Sequence, residues 1–175
     1  MNKIVSIILF VAVMVCVDAA ERVVVRPGRL LNVKTGEMLS GQAIVIENEK
    51  IIQVGLATQV KGDRTIDLPH ATLLPGLIDM HTHLTVDMRS FGYAGLGLSY
   101  PRQALMGAKN AKTTIMAGFT TVRNVGAPGY TDIALRDAIN DGDVIGPRMV
   151  VSGPPLGITG GHSDCNLLPI TIHCT

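Results

Sequence analysis

The sequence predicts an α/β chain in which buried parallel strands alternate with helices, preceded by a small β unit. Three observations carry that expectation. Short runs of branched apolar residues fill the stretch from Arg22 to about Leu68, an apolar run of strand length follows from Leu73 to Met80, and strands then alternate with helical stretches up to Ser152. Strands joined through helices are parallel and cross over right-handedly. Alternation by itself leaves a barrel and an open sheet both standing.

In the β unit, Val23 to Val25 is one run and ends at the Pro27-Gly28 turn. Gln42 to Ile46 and Lys50 to Gly55 are two more, and the polar Glu47, Asn48 and Glu49 between them read as a hairpin. The expected unit is small and antiparallel, with edges that need covering. Leu73 to Met80, which contains Pro75-Gly76, is too hydrophobic to keep a wet face and reads as a parallel strand buried on both sides. A glycine-rich loop from Phe91 to Tyr100 leads to a helix opened by Pro101. That helix carries Ala104, Ala108, Ala111 and Ile115 at helical spacing and stops at Gly118. Phe119 to Arg123 is the next strand. Thr131 caps a second helix with Ala134, Leu135, Ala138 and Ile139, ended by Gly142, and Arg148 to Ser152 is a third strand.

Ahead of all this, Lys3 precedes an apolar run from Ile4 to Val17 and then Asp18, Ala19 and Ala20. A positive charge, an apolar stretch and small residues describe a secretory signal peptide cleaved after Ala19, so the mature chain is expected to be periplasmic or secreted. The run is shorter than the roughly 20 apolar residues that span a bilayer, and no stable membrane anchor is expected after processing. The expected division is therefore a signal peptide at 1–19, a partial β-sandwich unit at 20–70 and an α/β unit at 71–175. Export permits a disulfide, but Cys165 and Cys174 could close only a small terminal loop and are read as free or incidental. With 15 Lys and Arg against 14 Asp and Glu, the formal charge of +1 suggests neither nucleic acid nor an acidic membrane surface as partner. A small molecule fits better.

The chemistry concentrates at His81-Thr82-His83, at the carboxyl end of the first parallel strand and preceded by Asp79. Side chains two apart on a strand face the same side, so both imidazoles can point at one ion. Random placement of 5 histidines in 175 residues gives roughly 0.14 such pairs, so spacing alone is a weak signal. Position at a parallel strand's carboxyl end, where barrels and open sheets alike place their sites, strengthens it.

The segment Leu73-Leu74-Pro75-Gly76-Leu77-Ile78-Asp79-Met80-His81-Thr82-His83-Leu84 resembles the opening metal motif of the amidohydrolase superfamily. The likeness extends through Thr65-Ile66-Asp67-Leu68 and through Gly118-Phe119-Thr120-Thr121-Val122-Arg123-Asn124-Val125-Gly126. The segment Ser152-Gly153-Pro154-Pro155-Leu156-Gly157-Ile158-Thr159-Gly160-Gly161-His162 is similar to the branch containing imidazolonepropionase-like proteins and exported prolidase-like (Xaa-Pro) dipeptidases.

The resemblance implies a (β/α)8 TIM barrel with a flanking β-sandwich, of which about three barrel strands are present, and a site holding two divalent metals. Residues matching His81 and His83 hold the more buried metal, with zinc the best fit to neutral imidazole. It also implies metal-assisted hydrolysis of carbon-nitrogen bonds in small dipeptides or N-acyl amino acids. In that chemistry a metal-bound hydroxide attacks the carbonyl and an aspartate carries the proton. In that family the bridging lysine, two further metal histidines and the catalytic aspartate come from later strands, so the chain is expected to be inactive alone. A non-catalytic remnant and an exported metal-binding half-barrel module are the alternatives.

His162, in its Gly-Gly-His loop, and Arg123, at the end of its strand, are expected to bind substrate, against plain readings as a solvated loop residue and a strand-end cap. Asn124 is taken to lie at the same face as the metal motif. Asp164 is read as a polar loop residue, His70 as structural, and Lys109 and Lys112 as a solvated helix face. The tail from Ile170 to Thr175, with His173, fits no family segment and reads as an altered frame or an abrupt stop.

Overall fold

The computed structural model describes residues 20–87, 89, 92–158 and 161–163. The leader, Asp164, both candidate disulfide cysteines and His173 lie outside the described residues. The chain divides after Leu74 into two compact units.

The first unit is built around β1 (Val23–Leu31). On one side β1 pairs antiparallel with β3 (Gln42–Glu47), Val24 opposite Val45. On the other it runs parallel to β5 (Arg64–Leu73), Val24 beside Thr65. A two-residue strand, β2 (Met38–Leu39), pairs with the end of β1, and β4 (Lys50–Leu56) pairs antiparallel with β3. The unit is therefore a mixed sheet, and the antiparallel expectation is corrected by the β1–β5 pair.

Pro27-Gly28 does not end the first strand either. Proline brings no N–H to the ladder and glycine no side chain, and here they mark a shift of register against β5 between Pro27 and Arg29. The Thr65 to Leu68 run likewise continues to Leu73, so the exposed His70 stands within β5. Val24, Ala43, Val45 and Val60 form the buried cluster of the unit, with Ala57 packed against it.

The expected hairpin is present between β3 and β4. Its two turn residues, Asn48 and Glu49, have φ of 49° and 62°, the left-handed pair that matches the twist of the flanking strands. Asparagine tolerates that conformation and glutamate does so less well. Glu49→Gly is expected to raise stability by about 0.5–1 kcal/mol, read from the urea midpoint. An unchanged or lower midpoint would show that the Glu49 backbone carries no strain.

The second unit contains β6 (Leu77–Thr82), α1 (Tyr100–Met116), β7 (Phe119–Asn124), α2 (Thr131–Asn140) and β8 (Arg148–Val151). The strands pair in parallel in the order of the chain, β6-β7-β8, which is how successive βα units make an arc of a barrel. Helix α1 begins as its sequence suggests. Ser99 Oγ accepts a hydrogen bond of 3.4 Å from the Arg102 N–H, and Pro101 sits in the first turn where its missing N–H has no intrahelical role. It ends at Gly118, whose φ is 94°.

Thr131 is not the cap of α2. Tyr130 takes that position, with a left-handed φ of 57°, and the Thr131 hydroxyl instead donates to one of the oxygens it lies against, Thr85 Oγ1 at 2.9 Å or the Pro128 carbonyl at 3.0 Å.

Leu84, Ala111, Val122, Leu135 and Met149 form the core where the two helices meet the sheet. Val122 and Met149 are neighbours across β7 and β8, which puts them on one face, toward the helices. The expected burial of the β6 segment is not met. Leu77 is 50% exposed, Ile78 62% and Met80 52%, because within this unit α1 packs on β7 and α2 on β8. Lys109 and Lys112 are exposed as expected.

Candidate functional site

The carboxyl ends of β6, β7 and β8 gather the side chains that carry chemistry. His81 is the second-to-last residue of β6 and His83 lies just beyond the strand. Their ring centroids are 5.4 Å apart, at 65° to one another. Two imidazoles bound to one ion at about 2.0 Å and spread at a tetrahedral angle place their centroids about 5 Å apart, so the observed spacing fits a shared ion. The donor set is incomplete for a four-coordinate metal: among the described residues no group of three or more His, Cys, Asp and Glu side chains stands close enough to hold one.

His83 is oriented. Its Nδ1 lies 3.0 Å from the carbonyl oxygen of Gly126, at the end of β7. A carbonyl has no proton to give, so Nδ1 is the donor in this hydrogen bond, and in the neutral ring the lone pair is then on Nε2. The main chain at His81 is held too: its N–H donates to Asp79 Oδ1 at 3.0 Å.

Behind the histidines is a buried polar group that the sequence reading did not identify. Asn124 is fully buried, whereas Arg123 beside it is exposed, as adjacent strand residues alternate. The expectation that both stand at the metal-motif face is thus corrected for Asn124. Its Oδ1 accepts from the Leu84 N–H at 2.7 Å, and its Nδ2 donates to the Gly126 carbonyl and to Asp132 Oδ2, each at 3.2 Å. Asp132, also fully buried, accepts from the N–H groups of Ile133 at 2.9 Å and Gly153 at 3.1 Å. The only advance signal was an acidic residue in the first turn of a predicted helix, which ordinarily reads as a dipole contact.

Arg123 donates through Nε to the Met80 carbonyl at 2.7 Å, tying β7 to the strand that bears the histidines. His162 is exposed, in a turn at 161–163.

Residues 72–171, more than half of the chain, match the model of the amidohydrolase family. The chain belongs to that family. The sequence is 32% identical over 159 residues to the ochratoxinase of Aspergillus niger, an alignment that takes in 87% of this chain and 32% of that protein. Among solved structures, a Xaa-Pro dipeptidase with methionine bound in its active site superposes with a TM-score of 0.77 at 34% identity, over 86% of this chain and 38% of the dipeptidase. The crystal structure of the A. niger ochratoxinase gives a TM-score of 0.74 at 30% identity, over 87% and 36%.

The amidohydrolase therefore has the α/β fold expected, a portion of the family's (β/α)8 barrel with a preceding β unit, and spans about a third of the length of these relatives. Its relatives are enzymes acting on small molecules, and its family uses divalent metals.

Proposed function

We propose that His81 and His83 are metal ligands, and that the protein to which these residues belong hydrolyses carbon-nitrogen bonds in small dipeptides or N-acyl amino acids. The observation that carries the proposal is the pair of adjacent imidazoles at a strand's carboxyl end, one of them held through Nδ1 by the Gly126 carbonyl so that Nε2 is left for an ion. Zinc suits two neutral imidazoles best. The chemistry such an ion supplies is polarisation of a carbonyl and activation of water.

The remaining roles belong to the protein's own groups. His83 and His81 would hold the ion at the mouth of the sheet. Arg123, from the exposed side of β7, and His162, from the loop after β8, would bind the substrate's polar ends. The dipeptide class is supported by the likeness to a Xaa-Pro dipeptidase, and the N-acyl alternative by the family's general hydrolase character.

Among the described residues, two imidazoles supply fewer ligands than the three that a catalytic zinc ordinarily takes from protein. The 175-residue chain is accordingly proposed to bind zinc without turnover. Equilibrium zinc titration against a competing chelator, run beside a panel of Xaa-Pro dipeptides and N-acyl amino acids, tests this. The expected result is bound zinc and no product. A folded chain that takes up no zinc overturns the ligand assignment, and chelator-sensitive turnover overturns the proposed inactivity while supporting the substrate class. Export is proposed from the leader pattern at 1–19. A chain that stays in the cytoplasm with Met1 as its amino terminus would contradict it.

A further inference from the structure

We propose that Asn124 and Asp132 are positioning residues that set the ring orientation and tautomer of His83. The inference deepens the metal-site reading above and rests on it for its meaning, although its first readout needs no metal.

The donor and acceptor pattern around Asn124 can be satisfied in one orientation only. The Leu84 N–H demands an acceptor, whereas the Gly126 carbonyl and the Asp132 carboxylate both demand donors. An asparagine amide offers that combination, an oxygen on one side and two N–H groups on the other.

The Gly126 oxygen links the two side chains, because it accepts from both Asn124 Nδ2 and His83 Nδ1. Asn124 also grips Leu84, the residue after His83. It therefore fixes the histidine from two directions: the main chain through Leu84, and the ring through the carbonyl that the ring bonds. Space around the carbonyl is short. A Cβ added at Gly126 would lie 3.3 Å from His83 Cε1 and 3.4 Å from Pro155 Cγ.

Asp132 fixes Asn124 in turn and joins the third strand to the group, since the same Oδ2 accepts from Asn124 and from the Gly153 N–H after β8. Main-chain bonds complete the frame, with the Val125 N–H on the Thr82 carbonyl and the Ala127 N–H on the Gly153 carbonyl, each at 3.0 Å. Three strand-end loops thus meet on one buried pair of side chains. Outer partners of this kind typically change metal affinity by about ten- to a hundredfold when removed.

The test uses the full 175-residue chain with nitrogen-15 in its histidines. In metal-free wild type, long-range proton-nitrogen correlation is expected to show His83 protonated at Nδ1. Folded Asp132→Asn, whose amide confronts N–H donors, and folded Asn124→Ala are each expected to shift His83 toward the Nε2-protonated form. Zinc affinity should fall by about ten- to a hundredfold in both.

Wild-type His83 protonated at Nε2 overturns the proposal, whether or not either variant folds. So does a folded variant that keeps the wild-type tautomer and zinc affinity, as a purely structural pair would. A wild-type chain with the Nδ1 tautomer that binds no zinc refutes the metal assignment and leaves the brace standing.

Discussion

His83→Ala is expected to weaken zinc binding by the chain about a hundredfold or more while leaving its fold intact. A first ligand should matter at least as much as the outer partners that change affinity by about ten- to a hundredfold. In a pair of imidazoles it is half of the protein's contribution. The fold should survive because the Gly126 carbonyl keeps Asn124 Nδ2 as a donor at 3.2 Å when the imidazole is gone, so no buried acceptor is orphaned. Chelator competition gives the affinity and circular dichroism the fold. Wild-type affinity in the folded variant would remove His83 from the ligand set.

Gly28→Ala should act on stability rather than on metal. A Cβ at Gly28 would lie 2.0 Å from the Pro69 carbonyl oxygen and 2.9 Å from its carbon, both main-chain atoms of the neighbouring strand. Neither can rotate away. The parallel pair would have to separate where its register already shifts, at a cost of about 3 kcal/mol or more. The loss should be read as a lower urea midpoint, with amide exchange quickening along β1 and β5 before it does in β6 to β8. A midpoint within about 0.5 kcal/mol of wild type would mean the two strands can part freely there.

The parts of the fold that were legible in the sequence are those set by local chemistry. The Pro101 start and Gly118 stop of α1, the polar tip between β3 and β4, and the alternation of strand and helix after β6 all follow from neighbouring residues. That the His81 and His83 rings lie side by side was legible too, since a two-residue spacing at a strand end turns two side chains the same way. Partner choice was not legible. A run of branched residues reads alike whether its neighbour is parallel or antiparallel, so the pairing of Val23 with Arg64 could not be told from sequence. Thr131 has the chemistry of a helix cap, but Thr85, brought alongside by tertiary packing, engages its hydroxyl. Asn124 and Asp132 sit eight residues apart across a strand end and a turn, and only the fold makes them neighbours.

The parallel pairing of β1 also bears on how the chain matures. As synthesis proceeds, β1 leaves the ribosome before the other described strands, yet the residues that complete one of its two flanks, Arg64 to Leu73, emerge after β2, β3 and β4. The β3–β4 hairpin can close on its own, within microseconds by the standards of such turns. Until β5 arrives, the nascent β1 presents a row of unpaired amides and carbonyls, and this interval is when a chaperone or a second nascent chain has its opening.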